Sequence, residues 1–178
     1  RGDQCDNCGN TLDPKDLIDI KHKDCNDSPI FKDTEHFFLK LSAFESDLIQ
    51  WVNANPHWKP NVKNFTSGFL ENGLIDRPIT RDITWGVPIP LEGYEDKRIY
   101  VWFEAVIGYL SASMEWASNT NNPSKWEDFW KGDSKSFYFM GKDNIPFHTV
   151  IWPAILMGYD NLKLPYDVPA NEYVNMES

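Results

Sequence analysis

Phe137-Tyr138-Phe139-Met140-Gly141-Lys142-Asp143-Asn144-Ile145-Pro146-Phe147-His148 is the stretch on which the fold turns. An apolar run ends in Gly-x-Asp and gives way to a helical pattern that reaches Leu156. A strand that stops at a glycine and opens a helix is a common cradle for a nucleotide: the glycine admits close backbone approach, and the helix N-terminus carries partial positive charge. Asp143, at the crest of the strand, can accept hydrogen bonds from sugar hydroxyls. Beyond it, His148 and Trp152 are four residues apart and share a helix face. A lone histidine on such a face is most often a satisfied core residue, but its place one turn after Gly-x-Asp suits a ligand contact equally well. Pro153 on the same helix calls for a kink or an irregular turn.

Upstream, Arg98-Ile99-Tyr100-Val101-Trp102-Phe103 has strand propensity and runs into a helix from about Glu104 to Ala117. A polar loop over 119–124, a short helix over Trp126–Trp130, the strand 137–140 and the helix from Asn144 follow. Strand, helix, strand, helix is the order of a parallel, helix-covered sheet, so the expected class is α/β. Trp102 is expected at a strand end. Small Ala105 and Gly108 on the following turns leave room that Trp102 and Tyr109 can wall, although plain core packing explains most aromatics at a helix start. Nearer the N-terminus, Asp13–Ile18 reads as a short helix with Asp13 as cap and Pro14 at the first position. His36–Leu41 reads as a strand, and Ser42 and Glu45 as a capping box. The helix it opens places Phe44, Leu48, Trp51 and Val52 on one face, with Pro56 and Pro60 ending it. A second helix covers Val62–Leu70 and stops at Gly73, and Leu74–Pro90 reads as extended.

The 178 residues are 41% apolar with eight Trp and eleven Phe, enough to bury a core. No run approaches a membrane span. Arg1-Gly2-Asp3-Gln4 has neither an initiator Met nor the apolar core of a signal peptide, and reads as the start of an excised segment. Net charge is −10, with 12 basic against 17 acidic residues over 1–98 and 5 against 10 over 99–178. Without a basic cluster, strong independent nucleic-acid binding is not expected. Three cysteines cannot form a full disulfide framework. Cys5-x2-Cys8-x13-His22-x2-Cys25 suits a tetrahedral structural zinc site in a reducing compartment, which points to the cytoplasm. Two alternatives stand: His22 and Cys25 are incidental surface residues, or Cys5 and Cys8 pair with a second Cys-x-x-Cys upstream.

Five segments carry a resemblance: Gly2–Gly9, Thr34–Leu39, Thr80-Arg81-Asp82-Ile83-Thr84-Trp85-Gly86, Val101–Tyr109 and Gly141–Pro153. Together they resemble the methionyl-tRNA synthetases, a family of class I aminoacyl-tRNA synthetases, and 141–153 is nearest the branch shared by archaea, eukaryotes and some bacteria. The resemblance implies that 1–98 is most of an α+β connective-peptide insertion, with a zinc knuckle over about 1–35. It implies that 99–178 is the second half of a Rossmann catalytic domain. It further implies a methionine side chain enclosed by Trp102, Ala105, Tyr109, Phe147, His148 and Trp152. Gly141 and Asp143 would contact the ATP ribose, and Arg81 would reach the active site from the insertion's stem. ATP with Mg²⁺ would convert methionine to methionyl-adenylate, for transfer to tRNA(Met), and structural Zn²⁺ would sit in the knuckle. Glu104 stands where the family usually has Asp, Val106 where Pro is common, and His22 where Cys is more usual. Neither a His-Ile-Gly-His-type motif nor a Lys-Met-Ser-Lys-Ser-type loop occurs within the 178 residues, so they are expected to be inactive by themselves. Two other readings are a non-catalytic zinc-binding interaction module built from synthetase parts, and a class I synthetase for another amino acid such as cysteine or leucine. Trp102, Tyr109 and His148 together argue against the latter.

Overall fold

The computed structural model describes residues 17–22, 24–159 and 161–173, and the chain divides into two compact units, 1–35 and 36–178. In the first unit the described residues form no helix or strand. A reverse turn is closed by the Asn26 N–H donating to the His22 carbonyl (2.9 Å) and the His22 N–H to the Asp27 carbonyl (2.8 Å). Asn26 takes the left-handed conformation (φ 61°) that such a turn needs and that Asn tolerates. Cys5, Cys8 and residues 13–16 of the expected first helix lie outside the described residues. Leu17 and Ile18 are not helical.

The second unit opens with strand β1 (Phe38–Leu39), a 3₁₀ turn (Leu41–Phe44) and helices α1 (Glu45–Asn53) and α2 (Pro60–Glu71). Pro60 starts α2 instead of ending α1. It occupies the first helical turn, where its missing N–H costs nothing. The helix buries Val62, Thr66 and Leu70 at four-residue spacing and ends at Gly73, whose φ of +78° disfavours other residues. The capping box does not form. The chain already turns at Leu41, so Ser42 sits inside the 3₁₀ turn, and its N–H (3.1 Å) and hydroxyl (2.7 Å) donate to Asp76 Oδ1. Glu45 Oε2 instead accepts the Leu74 N–H at 2.7 Å. Both groups thereby tie the helix start to the segment entering strand β2 (Arg77–Pro78), which pairs antiparallel with β1.

Strand β3 (Thr80–Arg81) pairs antiparallel with β4 (Arg98–Ile99), in the register Thr80↔Ile99 and Arg81↔Arg98. This corrects the sequence reading in two ways. The expected strand 98–103 stops at Ile99, and it does not join a parallel sheet with 137–141. Tyr100 makes the last ladder-side bond, its N–H donating to the Ile79 carbonyl (2.8 Å). The Tyr100 carbonyl then accepts from Phe103 (2.9 Å) and Glu104 (3.2 Å), opening α3 (Val101–Glu104). Val101 and Trp102 are half-exposed, and among the described residues no strand pairs with them, so their β propensity goes unused. The run continues as a 3₁₀ turn (Ala105–Ile107), α4 (Gly108–Ser118) and, after a loop, α5 (Glu127–Trp130).

Parallel pairing comes from β5 (Met140–Gly141) with β6 (Ala170–Asn171), extended backwards by a Phe137–Asp167 bridge. Between them lie a 3₁₀ turn (Lys142–Asn144), a π-helical turn (Phe147–Ile151) and α6 (Trp152–Tyr159). The π turn ends two residues before Pro153, which has no N–H for a regular ladder, and is the irregularity that proline calls for. One core joins Leu48 and Val52 of α1 and Val62 and Leu70 of α2 to Ile145, Val150, Ala154, Val168 and Ala170. The Trp58 indole and the Asn61 amide donate to the Tyr166 and Ala170 carbonyls (3.0 and 3.3 Å), holding the segment that ends in β6. A second cluster gathers Val106, Trp130, Tyr138, Trp152 and Leu156. No helix among the described residues is long and apolar enough to cross a membrane.

Leu48, with no exposed surface, is central to the first core. Truncation to Ala is expected to cost about 2–5 kcal/mol, measured by denaturant unfolding. A loss below about 1 kcal/mol would contradict this packing.

Candidate functional site

Strand β5 delivers Gly141 in an extended conformation (φ −75°, ψ 153°) at the mouth of the turn. Its torsions are open to any residue, and the close neighbour a side chain there would meet is itself a movable side chain. A Cβ at 141 would lie 2.7 Å from Asp143 Oδ1, because the Asp143 carboxylate folds back over residue 141. That carboxylate is solvent-exposed and available to an outside donor. Beside it, Lys142 Nζ meets Glu172 Oε2 at 2.7 Å and lies over the Tyr173 ring at 4.6 Å. The hydrogen bond to Glu172 raises the Lys142 pKa, and the same bond lowers that of Glu172. These exposed charges tie β5 to the end of β6 without adding much stability.

The π turn aims His148 inward, where it is 6% exposed. Its Nδ1 lies 3.0 Å from the Asn144 carbonyl, which can only accept, so Nδ1 carries the proton. Nε2 is then an acceptor, and the Tyr109 hydroxyl donates to it at 2.9 Å. Burial pushes the His148 pKa below its ordinary 6.5, only partly opposed by the Asn144 bond. The imidazole is therefore neutral, as an apolar surrounding demands. Around it stand Tyr109 (ring centroids 5.7 Å) and Tyr138 (5.6 Å), while Tyr109 lies 6.4 Å from Trp152. Trp152 is fully buried, and its Nε1–H donates to the Tyr138 hydroxyl at 3.1 Å.

Of the six side chains expected around a pocket, Tyr109, His148 and Trp152 come together directly. Trp102 and Phe147 form a second pair, 5.8 Å apart and tilted by 32°. Phe147 also packs against the cluster that holds Trp152. Exposed Ala105 lies on the turn between Trp102 and Tyr109. Arg81 is elsewhere engaged: its Nη1 donates to the Pro78 (3.2 Å) and Thr80 (2.8 Å) carbonyls, and its guanidinium lies 3.9 Å over the Tyr100 ring. A shallow depression of about 560 Å³ near it is lined by Thr84–Pro88, Arg98 and Glu104, none of them among the expected site residues. Tyr138 was missed by the sequence reading. Its signal was the alternation along 137–139, where Phe137 and Phe139 face outward and Tyr138 inward.

In the first unit, Cys25 Sγ lies 3.2 Å from His22 Nδ1, and both are exposed. The separation is that of a hydrogen bond between thiol and imidazole, shorter than the roughly 3.6 Å that a tetrahedral zinc sets between its S and N ligands. Among the described residues no group of three or more such ligands occurs.

Comparison with known proteins places this geometry in context. The family model described as "tRNA synthetases class I (M)" matches residues 1–178. The methionine–tRNA ligase of Dehalococcoides mccartyi strain CBDB1 is 63% identical over 178 residues, covering 100% of this chain and 32% of that protein. That of Thermoplasma acidophilum is 55% identical, covering 99% of this chain and 32% of that protein. Mycobacterium tuberculosis methionyl-tRNA synthetase bound by methionyl-adenylate superposes with a TM-score of 0.66 at 28% identity, over 84% of this chain and 28% of that one. Its apo form gives 0.64 at 32% identity, over 78% and 27%. The chain thus spans about a third of the length of the curated relatives it matches.

A histidine whose neutral form is favoured by folding contributes stability that is present above the unfolded pKa near 6.5 and is lost as pH falls below it. An NMR titration is expected to find His148 half-protonated below pH 6.5, and Tyr109→Phe, which removes the donor to Nε2, should move it upward. A wild-type midpoint at or above 6.5 would contradict the buried neutral imidazole.

Proposed function

The chain belongs to the class I tRNA synthetases of the methionine type, and from that premise we propose that it supplies the methionine pocket and the ribose contact of a methionine–tRNA ligase. The carrying observation is the Tyr109–His148–Asn144 relay, in which buried His148 is bonded to a half-exposed Tyr109 among aromatic rings, one turn beyond Gly141 and Asp143. In this reading 1–98 is the connective-peptide insertion and 99–178 the second half of the Rossmann catalytic domain.

Methionine carries an uncharged, flexible, polarisable side chain. Trp102, Ala105, Tyr109, Phe147, His148 and Trp152 offer it aromatic walls and a neutral polar edge, which suits a thioether better than a charged or purely aliphatic lining. Keeping His148 neutral avoids leaving an uncompensated ion in the pocket. Gly141 lets a ribose approach the backbone, and the exposed Asp143 carboxylate accepts from its hydroxyls. Arg81, stacked on Tyr100, is the candidate to meet ATP phosphates. In the activation step a methionine carboxylate oxygen attacks the α-phosphorus of ATP, forming the P–O bond of methionyl-adenylate as pyrophosphate leaves. Mg²⁺ bound with ATP would offset charge on the phosphates. The residues here act by holding and orienting the two reactants, not by acid–base exchange. Transfer to tRNA(Met) would complete the reaction, in the cytoplasm. Structural zinc would be held by Cys5, Cys8, His22 and Cys25, of which His22 and Cys25 lie side by side and are of suitable ligand types.

In the complete synthetase, Trp152→Ala should raise the methionine KM for ATP–pyrophosphate exchange roughly 10- to 100-fold, the value of one buried aromatic wall. An unchanged KM would place methionine elsewhere. The 178 residues alone should support no exchange, and robust methionine-dependent exchange from them would refute the division of labour proposed here. For the metal, refolding with Zn²⁺ should give one zinc per chain by X-ray fluorescence, lowered by Cys25→Ser. Zinc-free refolded protein would sink the four-ligand site.

A further inference from the structure

We propose that Tyr138 is a positioning residue for the side-chain pocket, holding the Trp152 indole and the Tyr109 ring at the separation an unbranched side chain needs, and so setting selectivity against branched ones. The inference rests on the methionine reading above. Its own support is geometric.

Tyr138 touches three of the six proposed pocket residues. Its hydroxyl accepts the Trp152 Nε1–H at 3.1 Å, its ring meets Tyr109 edge-on (5.0 Å, 75°), and it lies 5.6 Å from the His148 ring. Trp152 has no exposed surface, so its N–H has no recourse to water if that acceptor is removed. On its other side Trp152 abuts Trp130 edge-on at 5.8 Å, so the indole is set between two neighbours. Tyr138 itself belongs to neither helix of the pocket. Its backbone N–H donates to the Asp167 carbonyl (3.0 Å), and Met140, two residues on, donates to the Pro169 carbonyl (3.2 Å). The same short ladder carries Gly141. Tyr138 is thus a fixed post rooted in the sheet, against which the ring of α4 and the indole of α6 are both registered. Because the ladder also delivers Gly141 and Asp143, the spacing between the ribose end and the aromatic end is set by one segment.

The test is Tyr138→Phe in the complete synthetase, which keeps the ring and removes only the acceptor. Exchange kinetics with methionine, norleucine and leucine are compared with wild type. The methionine KM should rise about tenfold with a smaller change in kcat, as expected when one buried hydrogen bond is lost. The methionine-over-leucine ratio of kcat/KM should narrow by a similar factor, norleucine should follow methionine, and the Trp152 indole N–H resonance should shift. Should Y138F fail to fold, Y138H, whose ring nitrogen can still accept the indole N–H but from a shorter reach, carries the same leucine comparison against wild type. A lowered melting temperature with the methionine-over-leucine ratio within about twofold of its reference overturns the proposal, since a merely structural residue would do only that. Wild-type exchange is measured first: its independence of methionine would refute the underlying reading, not the role of Tyr138.

Discussion

Residues 145–156 must serve two apolar clusters at once. Ile145, Val150 and Ala154 enter the core built with α1 and α2, while Trp152 and Leu156 enter the cluster with Val106, Trp130 and Tyr138. A segment that is apolar on both sides leaves no wet face for the polar residues within it. His148 and Thr149 are both buried, so their polar atoms need partners inside the protein, at a cost of about 1–3 kcal/mol for each left unpaired. Thr149 donates to the Ile145 carbonyl (2.9 Å) and meets the Thr66 hydroxyl of α2 (3.0 Å), and His148 is held between Asn144 and Tyr109. Among the described residues, every buried side-chain nitrogen and oxygen has a partner. The relay proposed to face methionine is thus first a solution to burial.

That arrangement separates the site into two electrostatic regimes. Around His148 the groups are neutral, because desolvation holds the imidazole unprotonated. Around Gly141 the charged groups are exposed: Asp143 stands open to solvent, and Lys142 and Glu172 pair in water. A neutral, aromatic end and a charged, wet end, joined by the short run from Tyr138 to His148, are what the proposed methionine and ribose contacts would call for. The acidic composition fits a chain whose proposed ligands here are small.

How legible this was in the sequence depended on whether local or long-range forces decided each element. Leu48, Val52, Val62 and Leu70 fell at helical spacing, and α1 and α2 follow them. Gly141–His148 announced its strand-to-helix turn through a glycine whose missing Cβ makes room for Asp143. The reading failed where a partner far along the chain won. Ser42 and Glu45 satisfy the Asp76 and Leu74 segment in place of each other, and a single sequence does not reveal that segment's approach. Val101 and Trp102 have strand propensity, but among the described residues no strand pairs with them, and Tyr100 turns the chain into a helix. Tyr138 was overlooked because an apolar run of four gives weak alternation, and its role shows only once Trp152 is folded against it.

The central claim, that Tyr109, His148 and Trp152 enclose a methionine side chain, is tested most directly by intermolecular NOEs from methyl-¹³C-methionine bound to the complete synthetase. The account predicts contacts from the ligand methyl group to the rings of Tyr109, His148 and Trp152. Saturating methionine whose methyl group shows contacts only to residues outside that cluster would contradict it.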